Sequence, residues 1–165
     1  GMVFLAGVYW SFGSTNWEAG NAVRMIDVNL TGALRVLGHI VPQMVERDAG
    51  HIVFTGSLSG FRGLPKAVGY GASKAGLMSL AETMYADLRK TGVQVQLINP
   101  GFVKTRLTDK NDYAMPFIME PEQAARVYVE HMGTDRFAKN YPMLFSSAIR
   151  FTQFLPDWLY YRLFG

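Results

Sequence analysis

The apolar residues of this chain alternate between short continuous runs and runs spaced at helical intervals. Residues 2–8 form a short apolar run ending around Gly7, the pattern of a buried strand. Residues 11–16 read as a loop, with Ser14, Thr15 and Asn16 as candidate helix N-caps. Val23, Ile26, Leu30, Ala33, Leu37, Ile40 and Met44 then recur at three- and four-residue steps, which predicts one long helix to about Arg47, closed by Gly50. Residues 51–57 read as a second strand that enters a loop punctuated by Gly56, Gly60 and Gly63. A second helix is predicted over residues 70–90, with Leu77, Leu80, Met84 and Leu88 on one face and Gly92 as its C′ residue. Residues 93–99 form a third apolar run, broken by Pro100-Gly101. A short helix with proline in its first turn is predicted over 121–132, and a last short strand over 141–145. The tail, residues 146–165, reads as helical and aromatic, with Pro156 as a break.

Strands that alternate with helices at this spacing imply parallel pairing with crossover helices. The runs are apolar throughout rather than alternating, as expected of strands covered on both faces. The fold class expected is therefore α/β, a parallel sheet in a single domain over residues 1–165. In open sheets of this kind the active crevice lies beyond the carboxyl ends of the strands. That directs attention to Ala6-Gly7, Thr55-Gly56-Ser57 and Asn99-Pro100-Gly101.

Composition narrows the chemistry. The 165 residues include no cysteine, so neither disulfides nor thiolate metal sites are available. Three histidines in no ligand-like spacing argue against a zinc enzyme, and no metal site is expected. The net charge of +3 comes from scattered basic residues, which gives no basis for nucleic-acid binding. No apolar run approaches the ~20 residues of a membrane span, and no basic leader precedes the first one. A cytoplasmic location is the expectation.

Tyr70 and Lys74 stand four apart near the start of a predicted helix and so share a face. Such a pair alone is weak, since a surface pair has the same spacing. Its position adds weight: Ser57 ends the strand before it, and Asn29 lies inside the first long helix. Asparagine is unfavourable in a helix interior, so Asn29 is either a satisfied polar residue or one with another role.

Here a resemblance becomes specific. Residues 50–76, containing Thr55-Gly56-Ser57, Tyr70 and Lys74, resemble the active-site block of the short-chain dehydrogenase/reductase family. Asp27-Val28-Asn29-Leu30-Thr31-Gly32 resembles its catalytic-asparagine segment. Asn99-Pro100-Gly101-Phe102-Val103-Lys104-Thr105 resembles its cofactor-lining loop, and Leu5-Ala6-Gly7 the end of one of its strands. The likeness spans roughly residues 2–135 and implies a Rossmann-like sheet. It implies hydride transfer between the nicotinamide of NAD or NADP and a small alcohol or carbonyl compound. Tyr70 would be the acid/base, its phenol pKa lowered by Lys74 beside it. Lys74 would also bond the nicotinamide ribose, Ser57 would hold the substrate oxygen, and Asn29 would hold a water in a proton relay. Ala6, Gly7, Pro100, Gly101, Val103 and Thr105 would line the cofactor together with Tyr70 and Lys74.

The family's Thr-Gly-x-x-x-Gly-x-Gly turn, which grips the pyrophosphate, has no counterpart in this sequence. The chain is thus expected to be an N-terminally truncated form, either a piece of a longer reductase or a shortened product. Alone it is expected to bind NAD(P) weakly or not at all. Gly56 replaces a serine often found before the catalytic one. Met115, Phe117, Ile118 and Met119 fall where the family carries its substrate lid and suggest a hydrophobic alcohol or ketone. The tail is expected to pack on a core or a partner rather than on a membrane surface, and it could also cap the substrate pocket.

Rival readings fare worse. Gly56-Ser57-Leu58-Ser59-Gly60 lacks serine at the middle position of a nucleophile elbow, and no P-loop lysine occurs. The serious alternative is a non-catalytic remnant acting as an interaction module. The resemblance implies homo-oligomerisation through residues 17–47 and 70–90, whose exposed apolar faces would serve such a module.

Overall fold

A computed structural model describes residues 1–111 and 113–165, with all their side chains except that of Lys110. Four strands, β1 (Met2–Phe4), β2 (Gly50–Thr55), β3 (Val93–Pro100) and β4 (Ala138–Tyr141), form one parallel sheet in the order β1-β2-β3-β4. Each crossover carries helix. Helices α1 (Ala19–Ile26) and α2 (Gly32–Glu46) join β1 to β2, α3 (Val68–Leu88) joins β2 to β3, and α4 (Pro121–Met132) joins β3 to β4. Two further helices follow, α5 (Met143–Phe151) and α6 (Asp157–Phe164). The α/β, Rossmann-like architecture matches the sequence expectation.

The strands are buried on both sides, and their period of two sorts the core. Ile52, Phe54, Val95 and Leu97 meet Leu37, Leu77 and Ala81 of α2 and α3. Val53 and Ile98 point the other way and meet Ala124, Val127 and Tyr128 of α4. Removing about 25 cal/mol per Å² of apolar surface from water is the main force holding these layers together.

Several local expectations are corrected. The first strand is not residues 2–8 but Met2–Phe4. The Asn29 side chain takes both backbone groups of Val8, so that residue has nothing left to offer a neighbouring strand. The predicted single helix to Arg47 starts at Ala19, and Ser14–Asn16 form a separate 3-10 turn rather than its cap. The helix is also interrupted by a five-residue π-turn, Asp27–Thr31, where Gly32 N–H reaches back to Asp27 O. Val23 of the predicted apolar stripe is exposed, and Ala22, Met25 and Asn29 are buried instead. Helix α3 ends at Leu88, and Gly92 does not adopt the left-handed C′ geometry. A glycine is required there because a Cβ would overlap the Asp48 carbonyl. The last strand is Ala138–Tyr141, and residues 143–145 already belong to α5.

Helices α1 and α2 expose Val23, Leu34, Val36 and Val45, whereas α3 exposes no large apolar side chain among the described residues. The apolar faces expected on both helices are therefore unequal. No helix among the described residues is long and apolar enough to cross a membrane.

Candidate active site

The carboxyl ends of β2 and β3 open onto a cavity of about 470 Å³. Ser57, Tyr70, Pro100 and Gly101 all line it. The strand ends deliver Ser57 and the Pro100-Gly101 turn, and the first turn of α3 delivers Tyr70.

Ser57 leaves β2 in an extended conformation and caps the 3-10 turn Leu58–Gly60. Its Oγ accepts the Ser59 N–H at 3.2 Å, which leaves the hydroxyl proton to be donated elsewhere. Gly56 before it is forced by packing: a Cβ there would overlap Asn99 Oδ1, a buried atom without a hydrogen-bond partner.

Tyr70 packs edge-on against Tyr9, ring centroids 5.0 Å apart. Burial raises its pKa above 10, interaction with the Ser57 hydroxyl draws it back down, and Tyr9 raises it further. The net direction is up, which corrects the expectation of a phenol pushed down by Lys74. Burial is the largest cause. The Lys74 ammonium stands 5.7 Å from the Tyr70 ring centroid and donates to the Thr55 carbonyl at 2.8 Å. Lys74 is 5% exposed, and the loss of water draws its ammonium down from 10.5 to about 8.

Asn29, in the π-turn, is fully buried. Its Oδ1 accepts from Val8 N at 2.8 Å, and its Nδ2 donates to Val8 O and to Ser73 Oγ, both at 3.0 Å. Ser73 Oγ in turn donates to Tyr70 O at 2.8 Å. The asparagine thus ties the loop after β1 to the helix that bears Tyr70 and Lys74. Gly7 stands between them, where a Cβ would lie 3.8 Å from Asn29 Oδ1 and 3.9 Å from Lys74 Nζ.

The remaining residues are placed less uniformly. Ala6 is exposed beside Gly7. Val103 bridges to Met119 and packs in the α4-side core rather than on the cavity. Thr105 is exposed, its N–H donating to Thr108 Oγ1 at 2.9 Å. Of the four apolar residues assigned to the lid, none lines the cavity. Met119 is buried in the core and Phe117 is 60% exposed, while Leu107, Tyr113, Ala114 and Pro116 form the wall.

Sequence reasoning missed Ser73 and singled out Thr55 only as part of a strand end. Ser73 had a signal, since it lies one helical turn from Tyr70. The bond between Lys74 and the Thr55 carbonyl joins distant segments and had none. Among the described residues no group of three or more metal-ligating side chains occurs.

Residues 1–115 match the family model described as short chain dehydrogenase. The chain belongs to the short-chain dehydrogenase family. An uncharacterized oxidoreductase of Myxococcus xanthus is 40% identical over 153 residues, covering 90% of this chain and 60% of that protein. One from Staphylococcus saprophyticus is 36% identical over 113 residues, covering 68% of this chain and 46% of its own. The chain thus spans about half to three-fifths of the length of these curated relatives. Among solved structures, the short-chain dehydrogenase from Sphingobium yanoikuyae in complex with NADPH superposes with a TM-score of 0.78 at 22% identity, covering 94% of this chain and 65% of that one. A 7beta-hydroxysteroid dehydrogenase superposes with a TM-score of 0.82 at 20% identity, covering 99% and 66%. At these identities the structural likeness speaks for the dehydrogenase fold.

Proposed function

We propose that this short-chain dehydrogenase chain carries the carbonyl-binding and proton-transfer half of an NAD(P)-dependent oxidoreductase. The observation that carries the reading is the convergence of Ser57 and Tyr70 on one largely apolar cavity, with Lys74 buried one turn behind Tyr70.

The nicotinamide end of a dinucleotide fits the residues present. Lys74 gives one ammonium proton to Thr55 O and retains two for ribose hydroxyls. Gly7, bare of side chain, leaves space beside Lys74 and Asn29. Pro100 and Gly101 offer backbone at the cavity edge. The bound cofactor supplies or accepts the hydride. The Sphingobium neighbour holds NADPH, which supports a nicotinamide cofactor without choosing between NAD and NADP for this chain.

The chain's own residues do the rest. Ser57, whose hydroxyl interacts with Tyr70, donates its proton to the substrate oxygen and stabilises the charge that develops there. Tyr70, its pKa raised by burial, holds its proton at neutral pH and passes it to that oxygen. A protonated phenol is the acid that carbonyl reduction needs. Asn29 acts on the reaction through Ser73 and the backbone of Tyr70. The apolar wall formed by Leu64, Phe102 and Leu107 accommodates a hydrophobic ketone or alcohol.

The test is reduction of a hydrophobic ketone by NADH or NADPH in the protein that carries this chain. Tyr70→Phe should lower kcat by about 100-fold or more, the usual size of a lost acid/base. Undiminished turnover in Tyr70→Phe overturns the reading. The exposed Leu34, Val36 and Val45 of α2 support self-association through residues 17–47, which sedimentation would measure.

A further inference from the structure

Arg62 lies in the loop between Ser57 and α3, and the chemistry above makes no use of it. Its side chain is 15% exposed. Nη1 donates to Thr152 O at 2.6 Å and to Leu155 O at 2.8 Å, and Nη2 donates to Asp157 Oδ1 at 2.6 Å. The guanidinium also lies 3.9 Å from the ring centroid of Tyr160. Tyr160 is buried and donates its hydroxyl to Gly63 O at 2.7 Å. Its ring meets Tyr161 edge-on at 5.2 Å and stacks on Phe164 at 4.9 Å. Phe164 lines the same cavity as Ser57 and Tyr70, as do Phe145 and Ile149 of α5.

A single planar cation therefore joins the loop that bears Ser57 to the segment that supplies the cavity's aromatic wall. A guanidinium suits this task, since its rigid fork satisfies two carbonyls and a carboxylate at once and its face stacks on a ring. The outer side of the segment gives little help. Phe151, Phe154 and Trp158 are exposed, and Gln153 adds one bond, to Phe61 O at 2.9 Å.

We propose that Arg62 is a positioning residue that sets substrate size. It pins Phe164 as a wall of the cavity, and the site thereby selects carbonyl compounds that carry a bulky apolar or aromatic substituent. This rests on the reading of the cavity as the carbonyl site.

Two ketones that share a carbonyl end test it, 4-phenylbutan-2-one and butan-2-one. Their affinities are measured by NMR titration of the chain without cofactor, and amide hydrogen exchange is followed in α3 and in residues 143–164. In Arg62→Ala the tail should exchange faster while α3 keeps its protection. Affinity for 4-phenylbutan-2-one should fall about tenfold, the loss of one good aromatic contact, with butan-2-one unchanged. Phe164→Ala should repeat the affinity change with the tail still protected. Arg62→Lys keeps the charge without the fork, should fall between, and supplies the comparison if Arg62→Ala does not fold. An unchanged ratio of the two affinities in Arg62→Ala or Arg62→Lys overturns the proposal, as does failure of the unsubstituted chain to bind either ketone. A Tyr70→Phe protein that still reduces ketones would sink the catalytic reading and leave this ratio standing.

Discussion

Lys74 donates to the carbonyl of Thr55 at 2.8 Å, bridging nineteen positions of chain from helix α3 to the end of β2. The Thr55 hydroxyl meets Tyr128 OH of α4 at 2.8 Å, so one threonine at the strand end links helices on opposite faces of the sheet. The lysine is held where water scarcely reaches it.

That burial sets a dependence of stability on pH. The Lys74 ammonium has a pKa of about 8 folded against 10.5 ordinarily, so between these values the unfolded chain binds more protons. Stability therefore rises with pH across this window. Tyr70, Tyr128, Tyr141 and Tyr160, all shifted upward by burial, oppose the rise as pH nears 10. Between pH 8 and 9 the gain should be about 1 kcal/mol, since the slope is at most ~1.4 kcal/mol per pH unit. Urea denaturation across that range measures it, and Lys74→Met should flatten the curve. An equal rise in the variant would show that the lysine is not its source.

Asn29→Ala should cost about 1–3 kcal/mol, because the N–H and carbonyl of Val8 lose their partner together. Asn29→Asp should do no better, since a carboxylate cannot donate to Val8 O or Ser73 Oγ and is buried besides. Thermal unfolding of the two variants, with exchange of the Val8 amide, reports on both. Stability equal to the parent in either variant would contradict the structural role assigned to this carboxamide.

Gly56→Ala should destabilise by about 1–3 kcal/mol through overlap with Asn99. Adding Asn99→Ala makes room for the methyl and should recover part of that loss. A double-mutant cycle reads the coupling, and strictly additive effects would argue against the contact.

Gly38 of α2 meets nothing within 4 Å of an added Cβ, so Gly38→Ala should stabilise the chain by about 0.5–1 kcal/mol. Gly92→Ala should destabilise it, because the Asp48 carbonyl occupies the place of the methyl. Denaturation midpoints for the pair should move in opposite directions.

The strands Gly50–Thr55 and Val93–Pro100 and the helix Val68–Leu88 were legible in the sequence, because their apolar periods follow from the local geometry of strands and helices. The same local pattern put Ser57 at a strand end and Tyr70 and Lys74 on one helical face. Other features were decided by contacts between distant segments. The helix around Asn29 opens into a π-turn, with its carboxamide bonded to Val8, twenty-one positions away. The wall of the cavity came from Leu107 and Tyr113 instead of the residues assigned to a lid. The direction of the Tyr70 and Lys74 shifts could not be read from their spacing. Spacing brings a cation near a phenol, but burial and the Thr55 carbonyl determine what each group experiences, and both exist only once the sheet and helices have packed.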